Sequence, residues 1–218
     1  MSGTSKAAAK CYMCDDANEG KEHVPARTFH PKEKGYREHL WTVPACKKHN
    51  QDNSKDVEYV AGCIINAIES TGVALEESQK KVFRAFGYSK GYLLGTFRDV
   101  IPKILPSGEL TATFEIDLSR FNSVMGALAY GIYFYENGVT YSGRWEIVSP
   151  NLGSIETAHL GGIDARAELF RRLEQLNFVD LNTPQPDVFR CSVFTSPAEG
   201  KVVYKFVFYN GFTVYAIG

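Results

Sequence analysis

Cys11-Tyr12-Met13-Cys14, Glu22-His23-Val24-Pro25 and Cys46-Lys47-Lys48-His49-Asn50 all fall within the first fifty residues, and this stretch decides how the chain begins to fold. Zinc takes four nitrogen or sulfur ligands in a tetrahedron, and a C-x2-C knuckle supplies two of them from one tight turn. Cys11 and Cys14 make one pair, and Cys46 and His49 make the second. A redox C-x2-C motif would leave Cys46 and His49 unexplained; a disulfide would close a very small clip and leave an odd cysteine. The four residues therefore read as ligands of a structural zinc ion. The gap between the knuckles, Asp15 to Ala45, is too long for a finger helix that reads three bases, so something else is built inside it.

A chain of 218 residues with 44% hydrophobic and 13% aromatic side chains is long enough to bury a substantial core. No segment approaches the roughly 18 apolar residues of a membrane span. Residues 1–10 are small and polar and lack the apolar segment of a secretory signal, so they read as a disordered start and the expected compartment is the cytoplasm. Thiolate ligands fit a reducing environment. A formal net charge of -1 excludes a strongly basic nucleic-acid coat, because phosphate binding is driven by Lys and Arg displacing counterions. Residues 1–60 hold ten Lys or Arg against nine Asp or Glu, and the remainder fourteen against sixteen. Arg27, Lys32, Lys34 and Arg37 between the knuckles, with Lys47 and Lys48 inside the second, can form a local basic rim or a solvated loop.

Val57, Val60, Ala61, Ile64, Ile65 and Ile68 recur at helical spacing, which predicts a helix over Lys55–Ser70. Shorter helical pieces are expected over Lys80–Phe86 and Tyr92–Ile101. Strict alternation from Leu110 to Leu118 predicts a strand, and the apolar run Phe121–Tyr135, after Asp117 or Ser119 and before Asn137-Gly138, a buried helix. Arg144–Val148 reads as a short strand. Ala165–Leu176 reads as a helix with Arg166, Glu168, Arg171 and Arg172 on its wet side. Val188–Thr195, Val202–Tyr209 and Phe212–Ile217 read as strands joined by turns at Ser196-Pro197 and Asn210-Gly211. The expected class is α+β: a zinc-stabilised module over residues 11–72 packed on a mixed α+β domain with an antiparallel sheet over 73–218.

Glu22 and His23 are adjacent. On an extended segment such a pair points to opposite faces unless the backbone bends, so one side chain can hold a metal while the other addresses a water. Taken alone, the pair reads as an ordinary surface acid beside a satisfied histidine.

With zinc knuckles on either side and Asn50 directly after the last ligand, the chain resembles the zinc-bearing branch of the HNH (His-Asn-His, ββα-metal) endonucleases. The resemblance covers Cys11 to about Tyr59. In that branch a C-x2-C knuckle is followed by an acid-His pair with a proline two residues on, and a second knuckle ends in Asn. Cys11, Cys14, Glu22-His23, Pro25, Cys46 and Asn50 stand in those places. Val43-Pro44-Ala45-Cys46, Ser54-Lys55-Asp56 and Glu58-Tyr59 further resemble a bacterial group of HNH-like proteins.

The resemblance implies a treble-clef-like module in which Cys11, Cys14, Cys46 and His49 bind structural Zn2+, while Glu22 and Asn50 hold one catalytic Mg2+ or Mn2+ through oxygen ligands. His23 is then the general base that activates water, Glu22, His23 and Asn50 are the catalytic residues, and hydrolysis leaves 5′-phosphate and 3′-hydroxyl ends. Arg27, Lys47, Lys48 and Lys55 are the expected nucleic-acid contacts, with DNA preferred to RNA as partner. The chain departs from the pattern in carrying His49 in place of a cysteine, no Asn between Glu22 and Cys46 to orient the base, and Asn53 in place of a lysine. His30 and His39 lie in the insert and either take one of these roles or belong to a surface loop.

Tyr130, Tyr133, Phe134 and Tyr135 read as core rather than a base-stacking surface, as do Tyr204, Phe206, Phe208 and Phe212; Cys63 and Cys191 read as buried thiols. No partner for His159 is evident. Two functions from different classes follow. One is a metal-dependent endonuclease whose residues 73–218 select substrate, form a homodimer or bind a protein partner. The other is a non-catalytic zinc-dependent nucleic-acid-binding or protein-interaction protein.

Overall fold

The computed structural model describes residues 10–51, 54–67, 69–76, 98–104, 108, 110–153 and 162–218. They form mixed helix and antiparallel sheet. Strand β1 (Gly20–His23) pairs with β2 (Thr42–Ala45), setting Glu22 opposite Val43 and His23 opposite Thr42. Helices α1 (Lys47–Gln51) and α2 (Ser54–Ile65) follow. The predicted periodicity of α2 holds, with Val60, Ala61 and Ile64 buried. The helix is shorter than Lys55–Ser70, because the Ile64 carbonyl accepts from Ala67 N–H (3.2 Å) and Ser70 Oγ (2.6 Å), closing the last turn.

Strand β3 (Arg98–Ile104) forms a hairpin with β4 (Leu110–Glu115). This corrects the helix expected over Tyr92–Ile101 at its described end. Val100, Ile101 and Ile104 are β-branched, and Pro102 cannot donate within a helix, so pairing with the alternating run that begins at Leu110 wins. Lys80–Phe86, residues 92–97, Ile68 and His159 lie outside the described residues.

Helix α3 (Leu118–Asn137) is longer than its expected span. The Asp117 side chain caps it by accepting from Arg120 N–H (3.1 Å), and Gly138 ends it at φ 69° with its N–H on the Phe134 carbonyl. Strands β5 (Glu146–Val148), β6 (Val179–Asp180), β7 (Phe189–Ser196), β8 (Lys201–Phe208) and β9 (Phe212–Ile217) make an antiparallel sheet in the order β5-β9-β8-β7-β6. Helix α4 (Gly162–Glu174) packs on one face. Its Arg166 is not on the wet side as expected: the guanidinium turns inward to the Ser149 carbonyl (2.6 Å) and that of Leu152. The last hairpin turns one residue earlier than Asn-Gly predicts, with positive φ at Tyr209 (47°) and Asn210 (60°). Gly211 is needed for space, since a Cβ there would strike the Glu69 carbonyl.

Alternation along β8 divides the molecule. Val202, Tyr204, Phe206 and Phe208 enter a core shared with Cys11, Phe29, Val43, Val60 and Met125, while Val203 faces α4 together with Leu173 and Tyr215. The residues around the knuckles and the sheet therefore share one interior. Phe29 packs on Phe208 at 5.1 Å between ring centroids, and Tyr209 Oη donates to the Phe29 carbonyl.

Helix α3 lies along the first hairpin. Trp41 stacks on Tyr135 (4.7 Å, 21°), and Gly131 is so close to Val24 that an added Cβ would meet its methyls at 2.8 and 3.0 Å. Replacing Gly131 by Ala gains up to about 1 kcal/mol of helix propensity but incurs about 1–3 kcal/mol of overpacking. Gly131→Ala is therefore expected to be a net destabilisation on the order of 1 kcal/mol, seen as a lower urea midpoint at unchanged slope. A midpoint at or above wild type would show that the helix does not press on Val24.

Candidate metal centre and adjoining cavity

Two local structures bring the predicted ligands together. In the first knuckle, Cys11 N–H donates to the Asp16 carbonyl (3.0 Å), and Tyr12 N–H to the Pro44 carbonyl on β2 (2.8 Å), which docks the turn against the hairpin. In the second, His49 and Asn50 N–H groups both donate to the Cys46 carbonyl (3.2 and 3.0 Å) as α1 begins. Cys46 and His49 are thereby one turn apart on the same side.

The resulting distances test the fit of a cation. His49 Nδ1 is 3.3 Å from Cys11 Sγ, 3.5 Å from Cys14 Sγ and 3.3 Å from Cys46 Sγ, and the Cys14 and Cys46 sulfurs are 3.8 Å apart. A tetrahedral zinc with Zn–S of about 2.3 Å and Zn–N of about 2.0–2.1 Å has S···S edges of about 3.8 Å and S···N edges of about 3.5 Å. The four side chains can hold a metal ion such as zinc, as their spacing predicted. Burial first, then hydrogen bonding with the Asp16 carboxylate and the other thiols, pushes the Cys14 thiol up to about 12, against the backbone contribution of Asp16. Cys11 is held below its ordinary value: burial would raise it, but amides of Met13, Cys46 and Cys14 outweigh that. Coordination to a cation ionises such thiols outright.

Beside this cluster is a cavity of about 220 Å³ whose lining includes Glu22, His23, Arg27, His49 and Asn50. Although an extended segment would separate them, Glu22 and His23 open onto the same space, because His23 ends β1 and the chain bends at Val24 and Pro25. Asn50 reaches it from α1; its Nδ2 lies 3.0 Å from where a side chain on Gly20 would begin. Burial raises the Glu22 carboxyl to about 7. Burial, and then the positive charge of Arg27, keep the His23 ring below its ordinary value, so it is neutral at neutral pH and able to accept a proton.

The other predicted residues divide. Arg27 is exposed and lines the cavity; Lys47, Lys48 and Lys55 are exposed but are not among its lining residues. His39 is exposed, and His30 is buried, its pKa lowered to about 4 by burial and then by Arg37. Of the proposed rim, Lys34 pairs with Glu76 (2.7 Å), and Arg37 Nε donates to the His30 carbonyl (2.9 Å). Cys63, Cys191, Tyr204, Phe206, Phe208 and Phe212 are buried, and Tyr130, Tyr133 and Phe134 pack against the core, while Tyr135 is exposed and covers Trp41. Sequence reasoning missed the far wall: Val57 of α2 and Val124, Ala127 and Leu128 of α3. The only local signal for it was the apolar character of α3.

No protein-family model, curated protein or solved structure matches the chain. Among the described residues, no helix is long and apolar enough to cross a membrane.

Cys46→Ala is expected to lose bound zinc, measured by elemental analysis of the purified protein. It should also lower the thermal midpoint by roughly 10 °C, since metal binding is folding energy. Cys63→Ala, away from the cluster, should keep its zinc. Equal zinc content in all three proteins would remove the cluster as the metal site.

Proposed function

We propose that the chain is a metal-dependent endonuclease of the HNH kind, hydrolysing phosphodiester bonds of nucleic acid, with DNA preferred to RNA. The observation that carries this reading is that Glu22, His23 and Asn50, drawn from β1 and α1, line one cavity next to the Cys3His cluster. In this reading the hairpin β1–β2 and the helix start at α1 are a ββα-metal, treble-clef-like unit with zinc as its frame.

Glu22 and the Asn50 amide offer oxygen donors suited to Mg2+ or Mn2+, ions that keep several waters and need few protein ligands. A divalent ion bound there would polarise the scissile phosphate and stabilise the charge that develops on the leaving oxygen. Positive charge beside Glu22 favours its ionised form against the effect of burial. His23, neutral at neutral pH, takes the proton of the attacking water. Arg27, whose charge reaches His23, meets the phosphate. With no Asn between Glu22 and Cys46, the base is oriented by strand pairing: His23 sits opposite Thr42, and the next residue, Val24, donates its N–H to the Trp41 carbonyl (2.9 Å).

His23→Ala is expected to abolish Mg2+- or Mn2+-dependent cleavage of plasmid and oligonucleotide DNA while zinc content and melting temperature stay at wild-type values; retained cleavage would remove His23 as the base. Gly20→Ala places a methyl against the Asn50 amide, which must move by a few tenths of an ångström. Displacements of that order at a metal or catalytic ligand are costly, so a fall of roughly tenfold or more in rate is expected with little loss of stability. An unchanged rate would mean that Asn50 does not need its place against β1.

The competing reading is a zinc-dependent binding protein without hydrolysis. It draws on the net charge of -1 and on the absence of Lys47, Lys48 and Lys55 from the described residues lining the cavity. Under it, wild type and His23→Ala bind nucleic acid equally and neither cuts.

A further inference from the structure

The cavity lined by Glu22, His23 and Asn50 is a recess to which two helices also contribute. Val57 comes from α2, and Val124, Ala127 and Leu128 from α3. This wall cannot swing aside cheaply. Helix α3 is pinned at its start by Tyr59 Oη, which accepts from Asp117 N–H (2.9 Å), and by Arg120 Nε on Asp56 (2.7 Å) with its guanidinium over the Tyr59 ring (4.1 Å). Further along it is held by Val24 against Gly131 and by Trp41 stacked on Tyr135. Glu22, His23 and Asn50 therefore share with these apolar residues a space of about 220 Å³, below the about 300–1,000 Å³ of drug-sized ligand sites.

A double helix is met by protein elements that protrude into its grooves or lie along its backbone. A trio that shares a cavity with residues of two helices does neither. One nucleotide can enter such a space only after leaving the stack, with its phosphate toward Arg27, His23 and Glu22 and its sugar or base face on Val57, Val124, Ala127 and Leu128.

We infer that the substrate of this site is a strand unpaired at the scissile phosphate, and that α3 supplies this selectivity by walling the recess. The inference rests on the nuclease reading above. It assigns the apolar residues of α3 to substrate binding as well as to the core, and it makes single-stranded, bulged or flapped DNA the substrate class.

The test uses the full-length zinc-loaded protein with Mn2+ and one labelled DNA sequence in three forms: single strand, perfect duplex, and duplex with a central unpaired bulge. The single strand and the bulge are expected to be cut at least about tenfold faster than the perfect duplex, reflecting the work of unstacking a nucleotide, with bulged cleavage confined to the bulge. Duplex cleavage at a comparable rate would overturn the inference and leave the nuclease reading standing. Absence of cutting in every form would overturn both.

Ala127→Trp fills the recess from the half-buried face of α3. It is expected to slow single-strand cleavage roughly tenfold or more with zinc content and melting temperature unchanged. A wild-type rate in this variant would show that the strand does not touch α3, which also overturns the inference. Should Ala127→Trp fail to fold, Ala127→Gln, a smaller polar intrusion, gives the same reading.

Discussion

Three sulfurs and one imidazole nitrogen held within 4.8 Å of one another are a constraint that a polypeptide does not satisfy without cause. Burial, with the neighbouring thiols adding to it, makes Cys14 hard to ionise in so crowded a cluster, while backbone amides hold Cys11 below its ordinary value. A cation at the centre turns the same crowding into binding energy and ties Cys11 to His49 across 38 residues of sequence. Much else depends on that tie. The first knuckle is fixed to β2 through Tyr12, the second sets where α1 begins, and between them β1 has one register, the one that puts Glu22 and His23 at the end of the strand beside Asn50.

A frame of this kind fixes positions only near itself. The far side of the recess depends on a second contact, between the segment after β1 and α3, where Gly131 gives Val24 room that any side chain would take. Phe29 on Phe208 and the Tyr209 hydroxyl on the Phe29 carbonyl extend the same packing to the five-stranded sheet. The insert between the knuckles is consequently not a free loop. His30 is buried within it, and Arg37 is held by its carbonyl.

What was legible in the sequence follows the range of the forces involved. Cys11, Cys14, Cys46 and His49 were readable because metal geometry restricts ligand type and spacing. The helix beginning near Ser54, the alternating run from Leu110 and the last three strands were readable because burial imprints a period on the chain. The helix expected to reach Ile101 failed because short apolar runs carry no decisive period, and partner strand Leu110–Glu115 settled the matter. Arg166 read as wet because polarity is local, while the carbonyls of Ser149 and Leu152 that hold it come from elsewhere in the chain. The wall at Val124, Ala127 and Leu128 was not readable at all. Its residues look like core from sequence, and only the meeting of α3 with the first hairpin brings part of that face to the cavity that Glu22 and His23 also line.

That meeting also bears on charge. A protein that grips a duplex along its backbone needs many cations, because affinity accumulates phosphate by phosphate. Here Arg27 is the one Lys or Arg among the described residues lining the cavity, and the formal net charge is -1. Under the proposed reading a recess would distribute its binding differently: one phosphate would meet partly buried polar groups at low effective dielectric, and the adjoining apolar residues would be indifferent to salt. Near-neutral composition and a polar trio facing an aliphatic wall are thus compatible with one mode of engagement, in which a single nucleotide is taken out of water.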